Sequence, residues 1–206
     1  MASRVPVFYF DLFSPYSCLA AFRLESVLPV SPVWQPVWGA PLIAASGRGL
    51  PSFEEGRERR ADIVRRAARY GMSEWRWPEV YEPADAAAHA RWQPPNTLAV
   101  MRLATFARQS GVGEAFAQAV FRLAFAQGRD ISQIDDAIID VAVRCGLDAD
   151  EARAAPARQE IKNTLRSATD AAQARGVIGL PTVAVGEQLF WGDDRLEDAA
   201  AAAANA

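Results

Sequence analysis

The sequence predicts an α/β fold in which a long all-helical segment interrupts a small sheet, and three observations carry that prediction. Apolar, strand-like runs lie at both ends of the chain, from Val5 to Asp11 and within Thr182 to Trp191. From Glu58 to about Arg175 nearly every signal has helical spacing instead. A second short strand, around Val33 to Val37, follows the first after a single helix, which makes a βαβ opening of about the minimum length.

Composition bounds the function. The chain has 206 residues, half of them hydrophobic, enough to bury a sizeable core as one domain or one domain with a large insertion. With 22 basic and 25 acidic residues its net charge is −3, which gives no electrostatic reason to expect nucleic acid or an anionic membrane as partner. No apolar run approaches the roughly 20 residues of a membrane helix. The first apolar segment is broken by Pro6 and Asp11 and is not patterned as a cleavable signal, so a cytoplasmic protein acting on a small molecule is expected. Cys18 and Cys145 are far apart and form no CxxC, which supports neither a disulfide scaffold nor a zinc site.

The elements follow in order. After the first strand a helix is predicted over 15–28, with Pro15 suited to its first turn. The second strand is kept short by its prolines and Gly39, and SGRGLPSFEEG reads as a loop. Helices are then predicted over 58–71, over 97–111 with Asn96 as N-cap, over 114–128, and over 132–146 with Ser132 and Asp135 in capping-box spacing. The aromatic, Pro-rich stretch between the first two is too long for an idle turn. A helix over 157–175 ends at Gly176, LPTVAVGEQLFWG gives two strands turning near Gly186, and a last helix starts near Asp193. With the helical block removed, this is the element order of a thioredoxin fold. Residues 1–40 and 166–206 are accordingly assigned to a discontinuous thioredoxin-like domain, and 41–165 to an all-helical insertion domain.

In thioredoxin-like redox proteins the turn from first strand to first helix carries CxxC. Here the same turn reads SPYS, Ser14 to Ser17, which excludes disulfide exchange at this motif. A hydroxyl beside unpaired backbone amides can instead hydrogen-bond an anion brought in by a ligand. If that anion is a thiolate, the chain activates a sulfur it does not own. Ser14 is equally suited to capping the helix and nothing more.

Three motifs decide between these readings. Phe10, Asp11 and Ser14 to Ser17 form an FDxxSPYS turn; Gly176, Gly179, Pro181 and Thr182 a GxxGxPT segment; Phe190, Trp191, Gly192, Asp194, Arg195 and Leu196 an FWGxDRL ending. Together, and with short matches at Gln35-Pro36, Gly39, Tyr70-Gly71 and Asn96-Thr97, the chain resembles the 2-hydroxychromene-2-carboxylate isomerases and kappa-class glutathione transferases, DsbA-like members of the thioredoxin superfamily. The resemblance implies a glutathione site and a homodimer. Ser14 would hydrogen-bond the glutathione sulfur, Leu180 before a cis Pro181 would offer backbone groups to the cysteinyl part, and Asp193 and Asp194 would meet the γ-glutamyl end. Tyr16, Trp38 and Asn96 are the implied substrate contacts. Where family members carry a lysine or asparagine before the first insertion helix, this chain has Glu55, leaving Arg57 or Arg59 for the glycine carboxylate. The implied reaction is addition of the bound thiolate to a conjugated enone, rotation about the bond that has lost its double character, and expulsion of the thiolate. A kappa-like transferase and a non-catalytic thiol- or peptide-binding module need the same turn and stand as alternatives.

The remaining candidates have plainer readings. The arginines from 57 to 69 alternate with acids, as on a solvated helix face. Trp38, Trp75, Trp77 and Trp92 either wall an aromatic pocket or pack the core. Cys18 is expected in packing, and His89, the only histidine, has no partner recognisable from the sequence.

Overall fold

Four strands make one mixed sheet: β1 (Val7–Phe10), β2 (Val33–Pro36), β3 (Thr182–Val185) and β4 (Gln188–Trp191), in the spatial order β2-β1-β3-β4. The structure, a computed structural model, describes residues 5–47, 51–72, 74–91 and 96–205. β1 and β2 run parallel with Phe8 opposite Trp34, as a helical crossover between them requires. β3 is antiparallel to β1, Val183 opposite Phe8, and β4 returns along β3 through a turn at Gly186, whose φ of +55° suits glycine.

Side chains alternate across the strands, and the two faces of the sheet bury different partners. Phe8, Phe10, Trp34, Val183, Val185 and Phe190 join the large core cluster. Tyr9 and Ala184 point the other way, into a smaller cluster with Leu42, Ala172 and Val177. On the larger side Phe8 meets Trp34 edge-on at 5.0 Å, and Phe10 lies 6.2 Å from Phe121.

The predicted first helix is divided into α1 (Pro15–Ala21) and α2 (Leu24–Val27). The break falls at Arg23, whose guanidinium donates to the Asp193 carbonyl and stacks on Tyr70 at 3.9 Å, so a tertiary contact fixes the point where the periodic pattern stops. α3 (Gly39–Ala45) was not predicted. α4 (Phe53–Arg69) starts five residues before the predicted 58, because Ser52 and Glu55 form a reciprocal capping box: the Ser52 amide donates to the Glu55 carboxylate at 2.7 Å. Glu55 is thereby engaged at the helix start. Ser52→Ala is expected to lower stability by about 1 kcal/mol, read as a shift in the urea midpoint; an unchanged midpoint would show that the box contributes nothing.

α5 (Ala86–Arg91) lies within the stretch read as a connection. α6 (Leu98–Gln109) and α7 (Gly113–Phe125) match their predictions to within a few residues. α8 (Asp136–Arg144) starts later than predicted: both the amide and the hydroxyl of Ser132 go to Asp130, and Asp135, not Ser132, caps the helix by accepting from the Ile138 amide. α9 (Ala149–Ala154), capped by Asp148, is a further short helix. α10 (Gln159–Ala174) runs through the predicted domain border at 165 and 166, and α11 (Leu196–Ala204) ends the described chain. The helical segment enters after β2 and leaves before β3, yet it shares its core with the sheet: Val100, Met101, Phe121 and Phe125 belong to the same cluster as Phe8 and Phe10.

Candidate functional site

The end of β1 and the start of β3 bring the SPYS turn and the GLPT segment together. Ser14 has the extended backbone of an N-cap, φ −84° and ψ 113°, and its Oγ accepts from the Ser17 amide at 3.2 Å. The same hydroxyl points its proton at the Leu180 carbonyl, 3.4 Å away, a long contact for an O–H donor. The Leu180-Pro181 peptide is cis. Ser14 is half-buried, while Ser17 is fully buried and its hydroxyl has no partner among the described residues.

Asp11 holds this turn from below. It is 6% exposed; one carboxylate oxygen accepts from the Phe13 amide at 2.9 Å and the other from the Gly39 amide at 2.8 Å. Its carbonyl accepts from the Ser14 amide at 3.0 Å. A side chain at Gly39 would place its Cβ 3.1 Å from the Asp11 carboxylate and 3.3 Å from Leu180, so glycine there lets β2, β1 and the GLPT segment close on one another. Burial pushes the Asp11 carboxyl up to about 6, against the pull of those two amides. The raised value fixes the sign of a pH effect. The folded state binds this proton more tightly than the unfolded chain, so stability grows as pH falls through 6 towards the ordinary carboxylate range. Between pH 8 and pH 5 the gain is about 1 kcal/mol. Urea midpoints at the two pH values should show it in the wild type, and Asp11→Asn should flatten it; equal slopes in both proteins would contradict this assignment.

A cleft of about 170 Å³ opens beside the turn, walled by Pro15 and Tyr16 on one side and by Arg59, Arg60, Trp77 and Tyr81 on the others. Ser14 is not itself a wall, and reaches the cleft through its neighbours Pro15 and Tyr16. Tyr81 stacks on Phe13 at 4.3 Å and donates to the Phe13 carbonyl, which ties the aromatic connection to the SPYS turn. Trp77 is split between cleft and packing, whereas Trp75 stacks on Phe125 at 4.9 Å. Trp92 lies outside the described residues. His89 also lines the cleft; its Nε2 sits 2.9 Å from the Pro51 carbonyl and its ring meets Phe53 edge-on.

The sequence places Asp193 with Asp194 as ligand-facing acids, and the structure separates them. Asp193 is 1% exposed; its carboxylate accepts from Arg66 at 3.1 Å and from the Tyr70 hydroxyl at 3.1 Å, and its carbonyl from Arg23. Both oxygens are thus used inside the protein, where Asp193 anchors α4 to the segment after β4. Burial raises its pKa, and Arg66 only partly opposes this. Asp194 is exposed and lies 3.7 Å from Arg66. Arg66 departs from the predicted solvated face: it crosses to Asp193 and lies 6.0 Å from the Tyr16 ring, while Arg57 and Arg65 pair with Glu54 and Asp62 as that face predicts.

Comparison with known proteins agrees with this architecture. The family of DsbA-like thioredoxin domains matches residues 7–204. The chain belongs to the DsbA-like thioredoxin family. It is 33% identical over 203 residues to a 2-hydroxychromene-2-carboxylate isomerase from Sphingobium xenophagum, covering 92% of this chain and 93% of that one. A solved 2-hydroxychromene-2-carboxylate isomerase superposes with a TM-score of 0.78 at 22% identity, over 98% of this chain and 95% of the other. A probable DsbA oxidoreductase from Streptomyces coelicolor gives a TM-score of 0.71 at 20% identity, over 97% and 89%.

In this DsbA-like chain the residues near the SPYS turn cannot replace a redox pair. Cys18 is 2% exposed and burial drives its thiol well up, so it is packing, as expected. Two of the implied substrate residues lie elsewhere. Asn96 is exposed and its side chain accepts from the Leu98 amide at 3.1 Å; the residue that precedes α6 as its cap is Thr97. Trp38 lines a different cavity, between α3, α6 and α10. Tyr16 does line the cleft beside Ser14. Sequence reading passed over Asp11 as a support and Arg66 as an anchor. The signal for Asp11 was present, an acid ending an otherwise apolar strand; Arg66 has no local mark among its neighbouring arginines.

Proposed function

We propose that this chain is a glutathione-dependent isomerase acting on 2-hydroxychromene-2-carboxylate or a closely similar conjugated aromatic keto acid. Kinship with the Sphingobium xenophagum isomerase supports the reaction class. The observation that carries the site is the meeting of the Ser14 hydroxyl with the Leu180 carbonyl, at 3.4 Å, beside the cis Pro181.

The residues fit the tripeptide. The Leu180 carbonyl is an acceptor for a strand-like peptide, Ser14 is a donor for its sulfur, and the exposed Asp194 is an acid near the end of the site. Bound glutathione would supply the thiolate that adds to a conjugated enone, allows rotation and leaves again. The Ser14 proton turns from Leu180 towards the sulfur, which costs little because the contact it gives up is long. That turn frees the Leu180 carbonyl to accept from the ligand's amide. The Ser17 amide keeps donating to Ser14 Oγ, which polarises the hydroxyl and makes it a better donor. Tyr16, Trp77 and Tyr81 offer aromatic walls to a planar substrate, and Arg59 and Arg60 offer cations to its carboxylate.

The test is spectrophotometric conversion of 2-hydroxychromene-2-carboxylate with and without glutathione, alongside calorimetry of glutathione binding. Glutathione-dependent conversion is the expected result. Turnover that is indifferent to glutathione, or absence of glutathione binding, would overturn the reading; binding without turnover would favour the module alternative. The same reading carries a cytoplasmic homodimer, and a monomeric mass by light scattering at micromolar concentration would count against it.

A further inference from the structure

A second cavity, of about 270 Å³, lies between α3, α6 and α10 and shares no residue with the cleft beside Tyr16. Its floor is apolar: Leu165 is 2% exposed, Leu98 comes from α6, and the Trp38 side chain forms a wall at the start of α3. Its rim is cationic. Lys162 and Arg166 stand on α10, and Arg102 stands one turn after Leu98 on α6. Lys162, Leu165, Arg166 and Thr169 recur at the spacing of one helical face, so a single stripe of α10 supplies both floor and charge.

Among the described residues none of these three cations makes an ion pair. Arg102 only approaches the Pro156 carbonyl, at 3.5 Å. On α4, by contrast, Arg57, Arg65 and Arg66 sit against Glu54, Asp62 and Asp193. Asp170, the one acid on the cavity wall, leaves a surplus of positive charge. The wall is also held in place: the Trp38 amide donates to Thr169 Oγ1 at 3.0 Å, and Thr169 in turn donates to the Leu165 carbonyl at 2.8 Å.

Uncompensated cations around an apolar floor with an indole wall select an amphipathic anion. Guanidinium and ammonium groups bind a carboxylate, and the indole and leucines take a flat ring. A volume near the lower limit of small-molecule sites restricts that ring to one or two fused cycles. We infer that this cavity is a binding site for a small aromatic carboxylate, separate from the cleft beside Ser14, with Lys162, Arg166 and Arg102 reading the carboxylate and Trp38 the ring. This assignment does not rest on the proposed isomerase activity.

Lys162 is the only lysine in the chain, which gives the site its own reporter. Reductive ¹³C-methylation keeps its charge and labels it together with the N-terminus alone. Titration with 4-fluorobenzoate should shift the methylated Lys162 resonance saturably, with a Kd below about 1 mM, while the neutral 4-fluorobenzyl alcohol should not. In parallel ¹⁹F NMR on unlabelled protein, Lys162→Gln/Arg166→Gln should weaken 4-fluorobenzoate at least tenfold and Arg59→Gln/Arg60→Gln should leave this binding event in place. The assignment is overturned if the Lys162 signal does not move, if acid and alcohol bind alike, or if only the α4 pair abolishes binding, which would put the acid in the first cleft. The labelled wild type decides the matter even if the double variant misfolds.

Discussion

Ser14→Ala is expected to lower glutathione-dependent turnover near neutral pH by about 100- to 1,000-fold, the usual cost of removing one preorganised donor to a developing anion. Glutathione should remain bound, because the contacts proposed for its peptide at Leu180 do not need the hydroxyl. The fold should also survive. The variant loses the acceptor for the Ser17 amide and the long contact to Leu180, which together amount to the loss of one cap, about 0.5–2 kcal/mol. The difference lies in the sulfur. Each unit by which the bound thiol's pKa rises is about 1.4 kcal/mol of lost thiolate stabilisation, so activity should recover as pH is raised through the new pKa. Thiolate absorbance of the complex against pH, for wild type and variant, measures this directly. Identical titration curves would reduce Ser14 to a helix cap. Ser17→Ala is the control: that hydroxyl is fully buried and lacks a partner among the described residues, so its removal should leave both turnover and titration near wild type.

The largest stability effect is expected from Arg66→Met. Asp193, with its side chain 2% exposed, would keep the Tyr70 hydroxyl but lose the one cation that pairs with its carboxylate among the described residues. Stranding one partner of a buried pair costs about 3–5 kcal/mol. Arg66 retains a quarter of its exposure, so the lower end of that range applies. Adding Asp193→Asn should recover part of the loss, because the neutral amide needs no counter-charge, and the double variant should be less destabilised than the sum of the singles. The pH sign follows from burial. Arg66, more than the Tyr70 hydroxyl, holds the Asp193 pKa down against desolvation, so in its absence the carboxyl prefers its proton more strongly and the variant should regain stability as pH falls from 7 to 5. Urea midpoints at both pH values test this. A loss within about 0.5 kcal/mol, the range of ordinary surface changes, would show that α4 is not anchored through Asp193. Since Arg66 also lies beside Tyr16, the same variant should loosen the cleft wall and raise KM more than it lowers kcat.

Most of the fold was legible because its information is local. Strand runs such as VFYF and TVAV are buried on both faces and need no pairing partner to be recognised. Long helices such as α6, α7 and α10 bury a stripe that repeats every turn. The errors fall where two local signals compete. Ser132 was a plausible cap until Asp130 took both its polar groups, and Ser52 with Glu55 was a sound cap inside a stretch whose glycines and proline read as loop. The seven-residue length of α1 was not legible either, since the apolar spacing continues past the point where Arg23 turns to Asp193.

While the cis Pro181 opposite it was implied only by the resemblance to a known family, by itself the sequence determined the strand-to-helix turn at Ser14 and the order of elements along the chain. These follow from residue types whose backbone preferences act within a few positions. Only the tertiary structure decided which acid is buried and which is exposed. Asp193 and Asp194 are neighbours in the chain with the same chemistry, yet one is buried against Arg66 and Tyr70 from a helix more than a hundred residues away and the other is left in solvent. It also decided that Trp38 faces a cavity other than the one lined by Tyr16, and that Asp11 supports the turn by accepting from Gly39 across two strands. Charge pairing and burial depend on which surfaces meet: Arg66 reaches Asp193 because the helical segment packs on the sheet, and Gly39 reaches Asp11 because β1 and β2 pair.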